Sequence, residues 1–241
     1  LYRKLTAWEV ELAESTDQSI KEVLTYQKSE ANQEFCKFVR RNYYNWINKR
    51  SDDTPVMSHT LMRTNIFPVA DENPKTTLLL IDNFRYDQWR SISSLLRGWY
   101  DVAQDDFYCA ILPTATQYAR NAVFAGLMPL AIDKLMPNKW LNDNEEGGKN
   151  QYEEEFLKRL MSQNGKSWKF SFDKLVRPEQ GRKLVDNIQK VYDADFSVIV
   201  YNFLDILSHA RTETDIIREL TEDDAAFRSL TRSWFGHSDL Y

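Results

Sequence analysis

Asp82, Thr116, Asp205 and His209 are the side chains of this sequence whose types and neighbours point to chemistry. Asp82 closes the apolar run Leu78-Leu79-Leu80-Ile81. An ionised carboxylate in that position is a hard oxygen ligand for a divalent ion, and Asp is equally a good N-cap for a following helix. Pro113-Thr114-Ala115-Thr116-Gln117 carries a second apolar run into a helix. A threonine there faces a strand-end crevice beside the free amides of the first turn, which can hold a phosphate oxygen. Bare threonine is no nucleophile at neutral pH, and a coordinated metal ion makes it one. Arg120, one turn further, is placed to pair with a phosphate oxygen. Plain capping by the threonines is the alternative. Asp205 and His209 stand four apart, so a helix puts them on one face where they can share a metal. Their alternative is a hydrogen bond that orients a surface segment. His59, in a linker, and His237, in the terminal charged segment, receive no role.

These groups can meet only if the elements before them converge. Residues 77–81, 107–112 and 196–203 are short apolar runs, as expected of strands buried on both faces of a parallel sheet. Residues 168–172 alternate and read as a further strand. Helical patterns occupy residues 85–99, 117–126, 152–161 and 180–192. Alternation at these lengths predicts an α/β fold with a doubly wound, mainly parallel sheet. In such sheets ligands gather beyond the carboxyl ends of the strands. Asp82 follows the first run, Thr114 and Thr116 the second, Asp205 and His209 the last, so one edge receives carboxylate, hydroxyl and imidazole.

Upstream, residues 1–50 read as helical. Thr16 and Asp17 are N-cap candidates, and Ile20, Val23, Leu24, Ala31, Phe35, Phe38, Val39, Trp46 and Ile47 recur at helical spacing. A helix of that length with one apolar stripe needs a partner surface, which predicts a helical bundle. Ser51-Asp52-Asp53-Thr54-Pro55 is a breaker cluster, so the expected division is a helical segment over 1–53 and an α/β domain over 54–241. Tyr43, Tyr44, Trp46, Trp89 and Trp99 read as core and interface filler, not as base-stacking platforms.

Composition narrows the partners. A net charge of −5 leaves no basic footprint for duplex DNA, so a polyanionic substrate would need local positive charge such as metal ions. Cys36 and Cys109 both read as small buried hydrophobes, which fits a reducing, cytoplasmic setting. No apolar run is long enough to span a bilayer as a helix. The chain opens in mid-pattern at Leu1 and stops in a charged segment at Tyr241, and is expected to be part of a longer polypeptide.

Together these motifs resemble the alkaline phosphatase superfamily. Pro113-Thr114-Ala115-Thr116 followed by Gly126-Leu127-Met128-Pro129 is similar to the nucleophile segment of nucleotide pyrophosphatase/phosphodiesterases. The resemblance maps the nucleophile to Thr116 and the metal ligands to Asp82, Thr116, Asp205 and His209. Ile81 through Trp89 and Ala115 through Ala122 look more narrowly like the PglZ branch, in its response-regulator members tied to type IX secretion. That implies a phospho-receiver domain ahead of a helical bundle, with a sensor kinase and other regulators acting through parts not in this sequence. It also implies two zinc ions, phosphodiesterase action on cyclic or linear oligonucleotides, and homodimerisation through the helices. The sequence departs from the superfamily pattern in two ways. It has no Asp-His dipeptide, so each ion keeps half its protein ligands here, the rest being expected beyond Tyr241, and this stretch alone can be metal-free. Tyr118-Ala119-Arg120 stands where the phosphodiesterases have Pro-Asn-His. A reading of another class is a non-catalytic signalling module that uses the phosphatase-like fold as scaffold.

Overall fold

The computed structural model describes the chain except for Glu14, Thr16, Arg50, Asp143, Asp239 and Leu240. Three strands, β1 (Thr76–Ile81), β2 (Phe170–Leu175) and β3 (Phe196–Tyr201), form a parallel sheet in the order β1-β3-β2. Ile81, Tyr201 and Leu175 lie side by side, so the three carboxyl ends are flush. The register continues one step further, because the Asp82 amide donates to the Tyr201 carbonyl (2.9 Å) and the Asn202 amide to the Leu175 carbonyl (3.0 Å).

β3 is central and buried at every position, as its apolar run requires. The helices are, in chain order, α1 (Tyr2–Glu11), α2 (Gln18–Asn48), α3 (Phe67–Glu72), α4 (Tyr86–Leu96), α5 (Thr116–Ala125), α6 (Pro129–Leu135) and α7 (Glu153–Gln163). They continue with α8 (Pro178–Asp186), α9 (Gln189–Asp193), α10 (Phe203–Glu213), α11 (Asp215–Leu220) and α12 (Asp224–His237). On one sheet face Leu78, Leu80, Val198, Val200 and Phe172 pack against Phe124 of α5 and Phe156, Leu157 and Leu160 of α7. On the other, Ile81, Ile199, Tyr201 and Leu175 meet Leu184 of α8 and Trp234 of α12. Helices on both faces of a parallel sheet make the fold α/β, as the alternation of elements predicts.

Several elements differ from the sequence reading. Residues 107–112 are not a strand: only Cys109 pairs, in a single bridge with Met57. Their apolar side chains are used in packing instead, Ile111 being fully buried with Trp46, Met57 and Ala122. The helical pattern of residues 1–50 is two helices, α1 and α2. Asp17 caps α2, its carboxylate accepting from the Ser19 (2.9 Å) and Ile20 (3.3 Å) amides, while Thr16 lies outside the described residues. Residues 180–192 are likewise split, between α8 and α9. Cys36 is exposed, because it sits on the solvent side of α2; Cys109 is half-buried. Of the aromatic residues read as filler, Trp46 is buried, whereas Tyr44 and Trp99 are exposed. Along α2, Leu24 and Trp46 are buried, and Ile20, Val23, Phe35 and Phe38 face solvent.

A chain of charges ties the N-terminal helices to the rest. Glu9 of α1 accepts from Lys28 of α2 (2.7 Å) and from Arg228 of α12 (3.2 Å). Arg228 also meets Asp87 of α4 (3.1 Å), which pairs with Arg85 (2.7 Å), and Arg85 reaches Asp224 (3.0 Å).

Candidate functional site

The carboxyl edge of the sheet is where the polar groups gather. Asp82 leaves β1 there, and Asn83 follows in the left-handed region (φ 55°), a conformation Asn tolerates, turning the chain toward α4. The Asp82 carboxylate accepts from its neighbour's amide (3.2 Å) and from Nη1 of Arg120 (2.6 Å). It caps no helix, since the N-cap of α4 is Arg85. Arg120, 5% exposed, is a turn into α5. It also donates to Asn202 Oδ1 (3.2 Å) and, through Nε, to Glu153 Oε1. Glu153 is in turn bound by Nζ of Lys174 (2.9 Å), which also donates to the Asn150 carbonyl (2.8 Å). Asn150 then donates to the Thr116 carbonyl (3.2 Å) and to Asn121 Oδ1 (3.0 Å). Two cations and two carboxylates therefore compensate one another in a largely dry pocket, which such a cluster needs to be tolerated.

Electrostatics place Asp205 beside the same cluster. Burial pushes the Asp82 pKa up from the ordinary carboxylate value; Arg120 opposes this, and the negative charges of Asp205 and Glu153 add to it. Tyr108 belongs here too. Desolvation of its phenol, then the Asp82 charge, raise its pKa, although the residue is exposed over almost half its surface. Asp205 lies in the first turn of α10, and its Oδ1 is 3.8 Å from Nε2 of His209 on the same helix face. His209 Nδ1 stands 4.0 Å from Glu213 Oε1, and its ring is mostly exposed.

Thr116 is the first residue of α5 and half-buried. The N-cap is Ala115, with no side-chain bond, so neither threonine caps the helix. The structure thus joins the end of β1, the start of α5 and the end of β3 through Asp82, Arg120 and Asn202, with Asp205 within electrostatic reach. Among the described residues no hydrogen bond or ion pair joins Thr116 or His209 to Asp82.

For a divalent ion the donor types are right: carboxylates, a hydroxyl and an imidazole. The number is not. Among the described residues no group of three or more His, Cys, Asp or Glu side chains is placed to hold one ion. Asp205 and His209, 3.8 Å apart on α10, are two such donors, short of a four-coordinate shell.

Residues 61–236 match the model of the BREX system PglZ alkaline phosphatase-like domain, a span running from before β1 almost to the end of α12. The chain belongs to the PglZ family. Asp82, Thr116, Arg120, Asp205 and His209 all fall in its PglZ part. Residues 1–47, which hold α1 and nearly all of α2, match the model of the PorX response regulator linker domain. No curated protein matches the chain. No described helix is long and apolar enough to cross a membrane.

Sequence reasoning missed Glu153, Lys174 and Asn202, which complete the PglZ charge cluster. A strand expected over 196–203 hid Asn202 inside it, and one ending at Phe172 stopped short of Lys174 in β2. The rule that found Asp82, a polar residue just after a strand's carboxyl end, finds Asn202 once the end of β3 is placed, whereas Lys174 lies within β2, one residue before its end.

Proposed function

We propose that this chain is the effector region of a PorX-type two-component response regulator, acting in the cytoplasm as a zinc-dependent phosphodiesterase on cyclic or linear oligonucleotides. The observation that carries the reading is the 2.6 Å ion pair between Asp82 and Arg120, which draws the first turns of α5 against the end of β1. Thr116 is the nucleophile in this reading. Its Oγ bonds to phosphorus as the bond to the leaving alkoxide breaks, and water then hydrolyses the threonyl phosphate ester. The first amides of α5, uncapped by any side chain, face a phosphate oxygen. Arg120, expected from sequence to meet phosphate, has little exposure and three protein partners, so its first role is to hold Asp82. Zinc, when bound, lowers the pKa of a coordinated hydroxyl and offsets phosphate charge. Asp82 and Thr116 would hold one ion, Asp205 and His209 the other, with ligands beyond those the described residues supply.

Thr116→Ala should abolish turnover of a chromogenic phosphodiester while zinc content and melting temperature stay near wild type. Full activity in that variant removes the nucleophile assignment. The same reading assigns the protein to control of type IX secretion, with a sensor kinase upstream and homodimerisation through the helices.

One observation favours a second reading, a non-catalytic signalling module. Ile20, Val23, Phe35 and Phe38 expose an apolar stripe along α2, as a protein-binding helix would. Pure, zinc-loaded, full-length protein that hydrolyses neither monoesters nor diesters decides for it.

A further inference from the structure

The segment that delivers Thr116 is gripped by the N-terminal helices. Residues 101–115 form no helix and no strand. Among the described residues their anchors lie mostly upstream in sequence, and one is Tyr86 of α4, whose hydroxyl donates to Asp105 (3.0 Å) and whose ring packs on Phe107 (5.4 Å). The Cys109 amide donates to the Val56 carbonyl (2.8 Å), and the Cys109 carbonyl accepts from the Ser58 amide (3.2 Å). The Ile111 amide donates to Ser58 Oγ (3.1 Å). The Leu112 amide donates to the hydroxyl of Tyr43, on α2, at 2.7 Å. Trp46, one turn further along α2, packs on the fully buried Ile111. At the upstream end Arg3 of α1 pairs with Asp105 and lies over the Phe107 ring (4.5 Å), and Tyr2 packs on that ring (5.8 Å). Both helices belong to the span that matches the linker domain.

We propose that α2 is a positioning element of the PglZ site, and that Tyr43 sets the place of Leu112 and so of Thr116. The inference rests on Thr116 being the nucleophile. Between the Tyr43 anchor and Thr116 lie only Pro113, Thr114 and Ala115, all exposed. Thr116 itself is tied on the far side by Asn150. The backbone that carries its hydroxyl is therefore held between an anchor in the linker and, at the Thr116 carbonyl, an anchor in the PglZ domain. A displacement of about 1 Å at a reacting atom costs about 100-fold in rate, so a small shift of α2 reaches the chemistry. The linker is then part of the catalytic apparatus, not a spacer.

Tyr43→Phe in the full-length protein tests this, because it keeps the ring that packs beside Trp46 and removes one oxygen. Hydrogen exchange at the amides of residues 109–118 should quicken about fivefold. The kcat for a phosphodiester should fall about 3- to 10-fold, with KM within about twofold and the melting temperature unchanged. Tyr44→Phe, altering the exposed neighbour on α2, should change neither. Unaltered exchange over residues 109–118 in Tyr43→Phe overturns the proposal, as does an equal effect from Tyr44→Phe. Faster exchange with unchanged kcat, in an enzyme that Thr116→Ala inactivates, overturns it as well. An active Thr116→Ala variant would sink the nucleophile reading instead, whatever the exchange result.

Discussion

Glu153 is 1% exposed and meets Arg120 and Lys174, so its charge is matched from two sides. Removing it strands Arg120 beside Asp82 with one fewer counter-charge in a dry setting. Breaking one partner out of a buried ion pair costs about 3 to 5 kcal/mol. Glu153→Ala should therefore lower stability by about 3 kcal/mol in equilibrium urea unfolding, whereas Glu154→Ala, on the exposed side of the same turn, should shift it by less than about 0.5 kcal/mol. Sequence could not separate these two. Glu153, Glu154 and Glu155 all suit the first turn of α7 through the helix dipole, and only packing decides which one is buried. Asp82 was legible because an acid ending an apolar strand run is conspicuous. Asn202 obeys the same rule, yet a strand end misplaced by two residues concealed it; Lys174 lies inside β2, beyond the Phe172 at which the expected strand stopped.

Among the elements, the turn that ends α5 shows how tightly the PglZ core is set. Gly126 takes φ 63° in the left-handed region, and an added Cβ would come within 2.5 Å of Leu160 and 2.7 Å of Arg63. Arg63 meanwhile donates to the Gly126 carbonyl (3.0 Å). Left-handed backbone costs a non-glycine residue about 1 to 2 kcal/mol, and both neighbours must also move. Gly126→Ala should lower stability by about 2 kcal/mol, visible as a lower melting temperature with secondary structure intact. At this level the sequence was informative for continuous runs and misleading for a mixed one. β3 stood out because both of its faces are covered; β1 carries the same kind of apolar run, although Leu79 is exposed. Residues 107–112 share that apolar character without the ladder. Ile111 satisfies its hydrophobicity by packing on Trp46, Met57 and Ala122, and a short apolar run does not reveal whether its burial comes from a sheet or from neighbouring helices. Cys36 failed for a related reason: a place in a helical pattern does not say which face is covered, and Cys36 lies on the solvent side of α2.

Across the molecule, the charges from Lys28 through Glu9, Arg228 and Asp87 to Arg85 join the linker helices to the PglZ domain. Burial works to raise the Asp87 pKa, but hydrogen bonds and charge from Arg85 and Arg228 outweigh it and hold the group below its ordinary value of 3.8. The fold then binds fewer protons than the unfolded chain, so the contribution is complete above the ordinary carboxylate range and is lost as pH falls through the depressed value. Urea midpoints should begin to drop as pH enters the ordinary carboxylate range and keep dropping as it falls through the depressed value. Asp87→Asn should be less stable at neutral pH by about 3 kcal/mol, with a shallower acid limb. Strand order has a consequence for how the chain is made. Among the described residues β1 and β2 pair with β3 alone, and Thr76 finds its partner in Phe196. During synthesis the earlier strands leave the ribosome with nothing to pair with until residues 196–201 emerge. The nascent polypeptide must shelter Leu78 and Leu80 throughout that interval, against helices already formed or a chaperone, before its sheet closes in one late step.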